Sequence, residues 1–480
     1  MKKKLISMAL VAALCAGIVG CGPKAPGEND GVPTLKWMIP GDAQADIQTV
    51  LDAANEIVEK EIGAKIDIQF IDQGSFTEKM KLTMASGNSF DLCFTGYVNN
   101  YRDAVQNGGL LDITDMIDKV EGLREAVPEY AWQASEINGR IYAVPNIQIM
   151  ATATALDVDK ATAEKYDFDF SKVEKIDDIE PYLEMIKENE PEMFAYRPNY
   201  GYLPWITKYD SIGTRDIYLP KGSTSADDLV FSFDTEEFNH GVNQLWNWYQ
   251  KGYIRQDALS VGDDSADYKA QRYAVSNEVW KPGVETEASA IAGHDVVFYP
   301  IEQPYMTKSK CTATMIGISD KSKNAEKALE FIKLINTNKE LYNIITFGVE
   351  GKHYETVDGR VHLLDGTGYT NFGAGWKFGN VYNTKLLEGQ DENVWVETEK
   401  INEESVKSTL LGFEFDKSKV KAQISNLATV SSEYNQMDRG VQDPAEYMDE
   451  FKEKLMEAGL QDVYDEVKAQ LEVYFENLNK

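Results

Sequence analysis

Four histidines, His240, His294, His353 and His362, are the first candidates for acid–base or metal chemistry, and none stands in a spacing that supports it. No HExxH pair occurs, and no GxSxG turn presents a serine nucleophile. Asp157-Val158-Asp159 opens like a calcium loop, but Lys160-Ala161-Thr162 supplies neither the third ligand nor the glycine, so calcium binding is rejected. The glycine-rich run over 366–380 lacks the Gly-Lys-Ser/Thr ending of a phosphate loop, which removes support for nucleotide binding. Glycoside hydrolysis needs only two carboxylates at a set separation, and 79 acidic residues leave that reaction open. Binding chemistry has the stronger pattern. Amides, carboxylates and one aromatic ring gather in Pro40-Gly41-Asp42-Ala43-Gln44, Asp72-Gln73-Gly74 and Gly96-Tyr97-Val98-Asn99-Asn100, a set suited to hydrogen bonding with a polyhydroxylated ligand. The same residue types also favour turns for purely conformational reasons. Trp205 and Trp280 are flanked by proline and glycine, which places them in loops, where an exposed indole face calls for a cover such as a sugar ring. Trp246 shares a helix face with Phe238, Val242, Leu245 and Tyr249, which reads as core.

The elements that must position these groups are legible at the start of the chain. Leu35 to Ile39 reads as a strand, and Ile47, Val50, Leu51, Ala54, Ile57 and Val58 recur at helical spacing before Gly63 ends the run. Ile66, Ile68 and Phe70 alternate as a second strand. Ser75 and Glu78 form a capping box ahead of a helix whose buried stripe is Phe76, Met80 and Met84, and Phe90 to Thr95 is a third strand. This β-α-β-α-β order predicts a parallel sheet with right-handed crossovers, and in such sheets ligands sit beyond the carboxyl ends of the strands. Those ends are the three polar loops. Aromatic clusters between about 157 and 300 predict a second lobe, the run 313–318 predicts a strand that returns to the first, and the last hundred residues read as helical.

At 480 residues, with 43% hydrophobic content, the chain exceeds what one core usually reaches, so two lobes are expected. Formal charge is −31, a field that repels phosphate backbones and disfavours nucleic-acid binding. Lys2, Lys3 and Lys4 precede an apolar stretch over 5–19 that is too short to stay in a membrane, and Ile18-Val19-Gly20-Cys21 closes it. That tetrapeptide resembles the lipobox of bacterial lipoproteins, which implies a signal peptide over 1–20, lipid on Cys21 and a tether over 21–33. Losing the three lysines takes the charge to −34. Cys93 and Cys311 then remain, each in an apolar, strand-like run, and read as buried small hydrophobes, with one bridge between them the alternative.

Ser322-Lys323-Asn324-Ala325-Glu326-Lys327-Ala328-Leu329-Glu330-Phe331-Ile332 and Gly348-Val349-Glu350-Gly351-Lys352-His353-Tyr354 resemble segments of bacterial extracellular solute-binding proteins, family 1, the sugar-capturing lipoproteins of ABC importers. Leu411-Gly412-Phe413-Glu414-Phe415-Asp416 and Asp443-Pro444-Ala445-Glu446-Tyr447 resemble the C-terminal extension of its LipO-like branch. The resemblance implies a type II periplasmic-binding-protein fold, two α/β lobes with an interlobe cleft. It implies lobe 1 over 34–145, lobe 2 over 146–305, a return to lobe 1 over 306–350, and a helical extension over 351–480 packing on both. It implies hydrogen bonding by Asp42, Gln44, Tyr97, Asn99, Asn146 and Gln148, stacking by Trp205, Trp280 and Trp376, and further polar contacts from Lys281, Glu350 and Asn380. It also implies no catalysis, no cofactor and no metal, a carbohydrate ligand, an ABC permease as partner, and a monomer held by its lipid at the outer face of the cytoplasmic membrane. A surface-tethered glycosidase and a peptide-binding or sensor lipoprotein are the competing readings.

Overall fold

The computed structural model describes residues 31–478, apart from Asn88, 200–202 and Asn371. The signal peptide, Cys21 and most of the tether lie outside the described residues. Among those described, no helix is long and apolar enough to cross a membrane.

The chain opens with β1 (Thr34–Pro40), β2 (Lys65–Ile71) and β3 (Leu92–Gly96), then β4 (Ala143–Pro145). It crosses over into β5 (Ala151–Asp159) and β6 (Phe194–Arg197), and makes a small sheet from β7 (Tyr209–Ser211), β8 (Ile217–Pro220) and β9 (Val230–Phe231). Next come β10 (Tyr273–Trp280), β11 (Val296–Pro300) and β12 (Tyr305–Met306), and β13 (Thr314–Ile318) returns to the first sheet. A hairpin of β14 (Tyr354–Val357) and β15 (Arg360–Leu363) and the short β16 (Val406–Lys407) complete the set.

Lobe 1 is the sheet β2-β1-β3-β13-β4 and lobe 2 the sheet β16-β12-β5-β10-β6, with β11 also pairing β5. β1 runs parallel to β2 and β3, while β13 is inserted antiparallel between β3 and β4. Trp37 on β1 meets Phe331 and Phe378 edge-on, with ring centroids 5.5 and 5.8 Å away, and anchors the lobe 1 core. The helix Ile47–Ile62 forms because Val50, Leu51, Ala54 and Val58 place one apolar stripe on that core, and Gly63 ends it at φ 62°. Lobe 2 closes around Trp248, Tyr196 and Trp205.

Several sequence-based expectations change here. The second helix runs Gln73–Ser86 with Asp72, not Ser75, as its cap: the Asp72 carboxylate accepts from Ser75 N at 3.1 Å. On the helix Glu236–Gln250 the buried residues are Phe238, Gly241, Val242, Leu245 and Trp248, whereas Trp246 is half-buried and stacks on Tyr249. Cys311 ends a short helix, Lys308–Cys311, and does not sit in a strand. Both Cys93 and Cys311 are free and buried. Past residue 350 the chain is not helical at first: it passes through the β14–β15 hairpin and 3-10 turns at Phe372–Lys377 and Val381–Asn383. A helix, Val394–Glu404, precedes β16, and the terminal helices begin only at Lys421.

That late segment ties the crossovers. Asn402, fully buried, accepts from Met150 N and Ala151 N at 2.9 and 3.0 Å and donates to Gln148 O and the Tyr382 hydroxyl. Leu411 enters the lobe 1 core, while Leu410, Phe413, Leu427, Val463, Val467 and Leu471 enter that of lobe 2.

Candidate functional site

The strand ends of lobe 1 build one lip of the gap between the lobes. β3 delivers Tyr97 just past Gly96, whose own position admits no side chain: a Cβ there would lie 2.1 Å from the Ala313 carbonyl oxygen, at φ 137°. Tyr97 is 54% exposed. Trp376 packs beside it with centroids 5.9 Å apart, and Phe94 supports both edge-on. Gln73 donates to the Tyr97 hydroxyl at 3.3 Å. Behind the indole, the Lys377 ammonium lies 5.0 Å from its centroid and donates to Pro40 O at 2.8 Å; burial depresses this lysine below its ordinary range. The lip is therefore an aromatic pair rimmed by polar groups.

The crossovers form the floor. Asn146, buried, donates to Trp376 O at 3.2 Å and leaves its side-chain oxygen without a partner. Gln148 donates to the Thr314 hydroxyl at 3.1 Å. From Tyr97 a cavity of about 360 Å³ runs past Asn100, Arg102, Ser309 and Thr312 to Gly213 and Phe415 on the lobe 2 side. A second cavity of about 540 Å³ adjoins it, sharing Gly213, Ser309, Thr312, Glu414 and Phe415, and reaches Tyr209, Asp210, Lys221, Glu302 and Tyr305. Its polar wall is internally paired. Asp210 accepts from the Tyr305 and Ser408 hydroxyls, both at 2.8 Å, and burial raises its carboxyl above the usual range. Lys221 pairs with Glu302 at 3.1 Å over the Tyr305 ring.

The expected contacts divide on this geometry. Asp42, Gln44, Tyr97, Asn146, Gln148 and Trp376 all belong to the lobe 1 lip or floor, although Gln44 already spans Asp42 O and Thr370 N. Trp280 lines a cavity of about 520 Å³ against the helix Val394–Glu404, with Gln303, Pro304 and Lys400, and this cavity shares no residue with the other two. Lys281 is engaged by Glu287. Four of the expected residues lie away from the lip or are already engaged. Trp205 is 8% exposed, its ring 5.6 Å from that of Trp248 and its N–H directed to Asp177, so no face is left for stacking. Asn99 is a buried turn residue at φ 55°, with its amide donating to Phe94 O. Glu350 pairs with Lys385 beside the β14–β15 hairpin. Asn380 caps a 3-10 turn by accepting from Tyr382 N. Arg102, Gly213 and Phe415 were missed, because only the tertiary fold brings α-helical, hairpin and C-terminal residues together there. Tyr200 and Tyr202, part of an aromatic cluster in the sequence, lie outside the described residues.

Compared with known proteins, the chain is 30% identical over 99% of its length, and 99% of the relative's, to a carbohydrate ABC transporter substrate-binding protein of Streptococcus pneumoniae serotype 4. The chain belongs to that family. A second relative, lipoprotein LipO of Bacillus subtilis, is 22% identical over 75% of each chain. Residues 409–476 match a domain of unknown function, DUF3502. Among solved structures, the N-glycan transport solute-binding protein NgtS of Streptococcus pneumoniae superposes with a TM-score of 0.82 at 28% identity, covering 93% of this chain and 99% of NgtS. The two-lobed α/β architecture is thus that of the family's solute-binding proteins, and capture of carbohydrate for an ABC importer is the family's work.

Proposed function

We propose that this member captures a neutral oligosaccharide between its lobes, releases it unaltered to a membrane permease, and is held at the outer face of the cytoplasmic membrane by lipid on Cys21. The observation that carries the reading is the exposed Tyr97 ring, set against Trp376 beyond the carboxyl end of β3 and lining a cavity that residues of both lobes enclose. Aromatic faces with a polar rim suit a sugar, whose C–H faces are apolar and whose edges carry hydroxyls. NgtS has been solved with Man1GlcNAc and with Man5GlcNAc, and the TM-scores of this chain to those complexes are 0.71 and 0.65, against 0.82 for the structure described without a sugar. That ordering supports an open resting form which closes on its ligand by population shift. The carboxylates of the joined cavities, Asp210, Glu302 and Glu414, are each held by named partners, which supports binding over hydrolysis.

Calorimetric titration with Man5GlcNAc, Man1GlcNAc and unrelated oligosaccharides, followed by analysis of the recovered sugar, tests the proposal. Saturable binding with the sugar recovered intact is expected. Cleaved product would overturn the reading in favour of a glycosidase.

A further inference from the structure

One segment of the C-terminal extension belongs to both lobes at once. Residues 409–416 run along the interlobe gap and alternate between the two cores, beginning with Leu410 in that of lobe 2. Leu411 is 2% exposed in the lobe 1 core, while Phe413 is buried in that of lobe 2. Gly412 separates them, packed between Tyr474 of the last helix and Gln133 of lobe 1. Beyond this pivot the strap is fixed to lobe 2: Gln470 of the last helix accepts from Asp416 N at 2.7 Å and donates to Asp416 O at 2.8 Å. Phe415 rests on Gly213 at the β7–β8 turn.

Lobe 1 reaches across to this fixed part chiefly through Arg102, with Lys308 beside it. Arg102, on the helix Tyr101–Gln106, is buried, and its guanidinium binds Glu414 at 3.0 Å, Asp416 at 3.1 Å and the Phe415 carbonyl oxygen. Glu414 is also 3.5 Å from Lys308, which donates to Glu136 O and whose ammonium is depressed chiefly by burial. A planar guanidinium matched to three acceptors tolerates little rotation of one body against the other. Beside it lies the cavity of about 360 Å³ between Tyr97 and Gly213, the space that approaching lobes would have to close.

We infer that Arg102 is a positioning residue: by clamping the strap it holds the gap open, so that sugar must break the clamp to close the lobes. The inference rests on the sugar-capture reading and assigns a role to the start of the stretch that matches DUF3502. A group that stabilises only the open form lowers apparent affinity, and removing it raises affinity without adding a contact.

The test compares wild type with Arg102→Met, Arg102→Lys and Asp416→Asn. It measures the radius of gyration of the sugar-free protein by small-angle scattering and the Kd for Man5GlcNAc by calorimetry. Arg102→Met is expected to reduce the sugar-free radius and tighten binding roughly three- to tenfold. Asp416→Asn should shift both the same way by less, and Arg102→Lys should restore part of each. An unchanged radius, or weaker binding, in a natively melting Arg102→Met protein overturns the clamp. Should that variant not fold, an unchanged radius in Asp416→Asn overturns it instead. If wild type fails to bind Man5GlcNAc, the ligand assignment falls, while the radii still decide the clamp.

Discussion

Tyr97 and Trp205 show how far one residue type departs from another once packing is known. Tyr97 is 54% exposed and touches the core only through the edge of Phe94, so Tyr97→Ala should lower the melting temperature only slightly. It should weaken sugar binding by about 1–3 kcal/mol, the range for losing one aromatic stacking partner, read by calorimetry. Trp205→Ala is the converse. It empties a site against Gly241 and Trp248 of the helix Glu236–Gln250 and should cost about 3–5 kcal/mol in denaturant unfolding, with the Kd of the folded fraction unchanged. Flanking proline and glycine marked both Trp205 and Trp280 as loop residues, yet Trp280 ends β10, and the sequence had no way to show that the loop of Trp205 folds inward. The reason lies in Gly241, where the Trp205 ring comes within 3.0 Å of the position a Cβ would take.

That same contact explains the helix error. A strict 3.6-residue stripe through Phe238, Val242, Leu245 and Tyr249 would bury Trp246, but a bare backbone at Gly241 draws the neighbouring indole in. The buried stripe therefore runs on through Gly241 to Trp248. Periodic elements were legible wherever their own side chains set the pattern, as in β1, the helix Ile47–Ile62 and β2. Caps and turns were less so, since Asp72 and Ser75 compete for one helix start and Asn99 adopts a left-handed conformation that its type merely permits. Residues that serve distant elements were illegible, and Asn402 is the clearest: in the last turn of the helix Val394–Glu404, it satisfies two backbone N–H groups of the first crossover. Asn402→Leu should strand both and cost about 2–5 kcal/mol in urea unfolding. Partial loss of sugar affinity should accompany it, because Gln148 loses its backbone anchor.

At the scale of the molecule, the proposed closure predicts a change of shape on capture. Adding saturating Man5GlcNAc should reduce the radius of gyration in scattering, and Tyr97→Ala should need more sugar to reach the same end point; an invariant radius in the presence of calorimetrically bound sugar would argue for a rigid receptor. Two lobes with separate cores, joined by the crossovers and the C-terminal strap, suit a hinge rotation. The strand order of lobe 1 carries one more implication. Because β13 is the only neighbour of β4 and closes one flank of β3, a nascent polypeptide leaving the ribosome cannot complete its first sheet until Ile318 has been synthesised. All of lobe 2 up to β12 emerges before that moment, so the earliest-made part of the chain stays unfinished, with open edges, for most of translation.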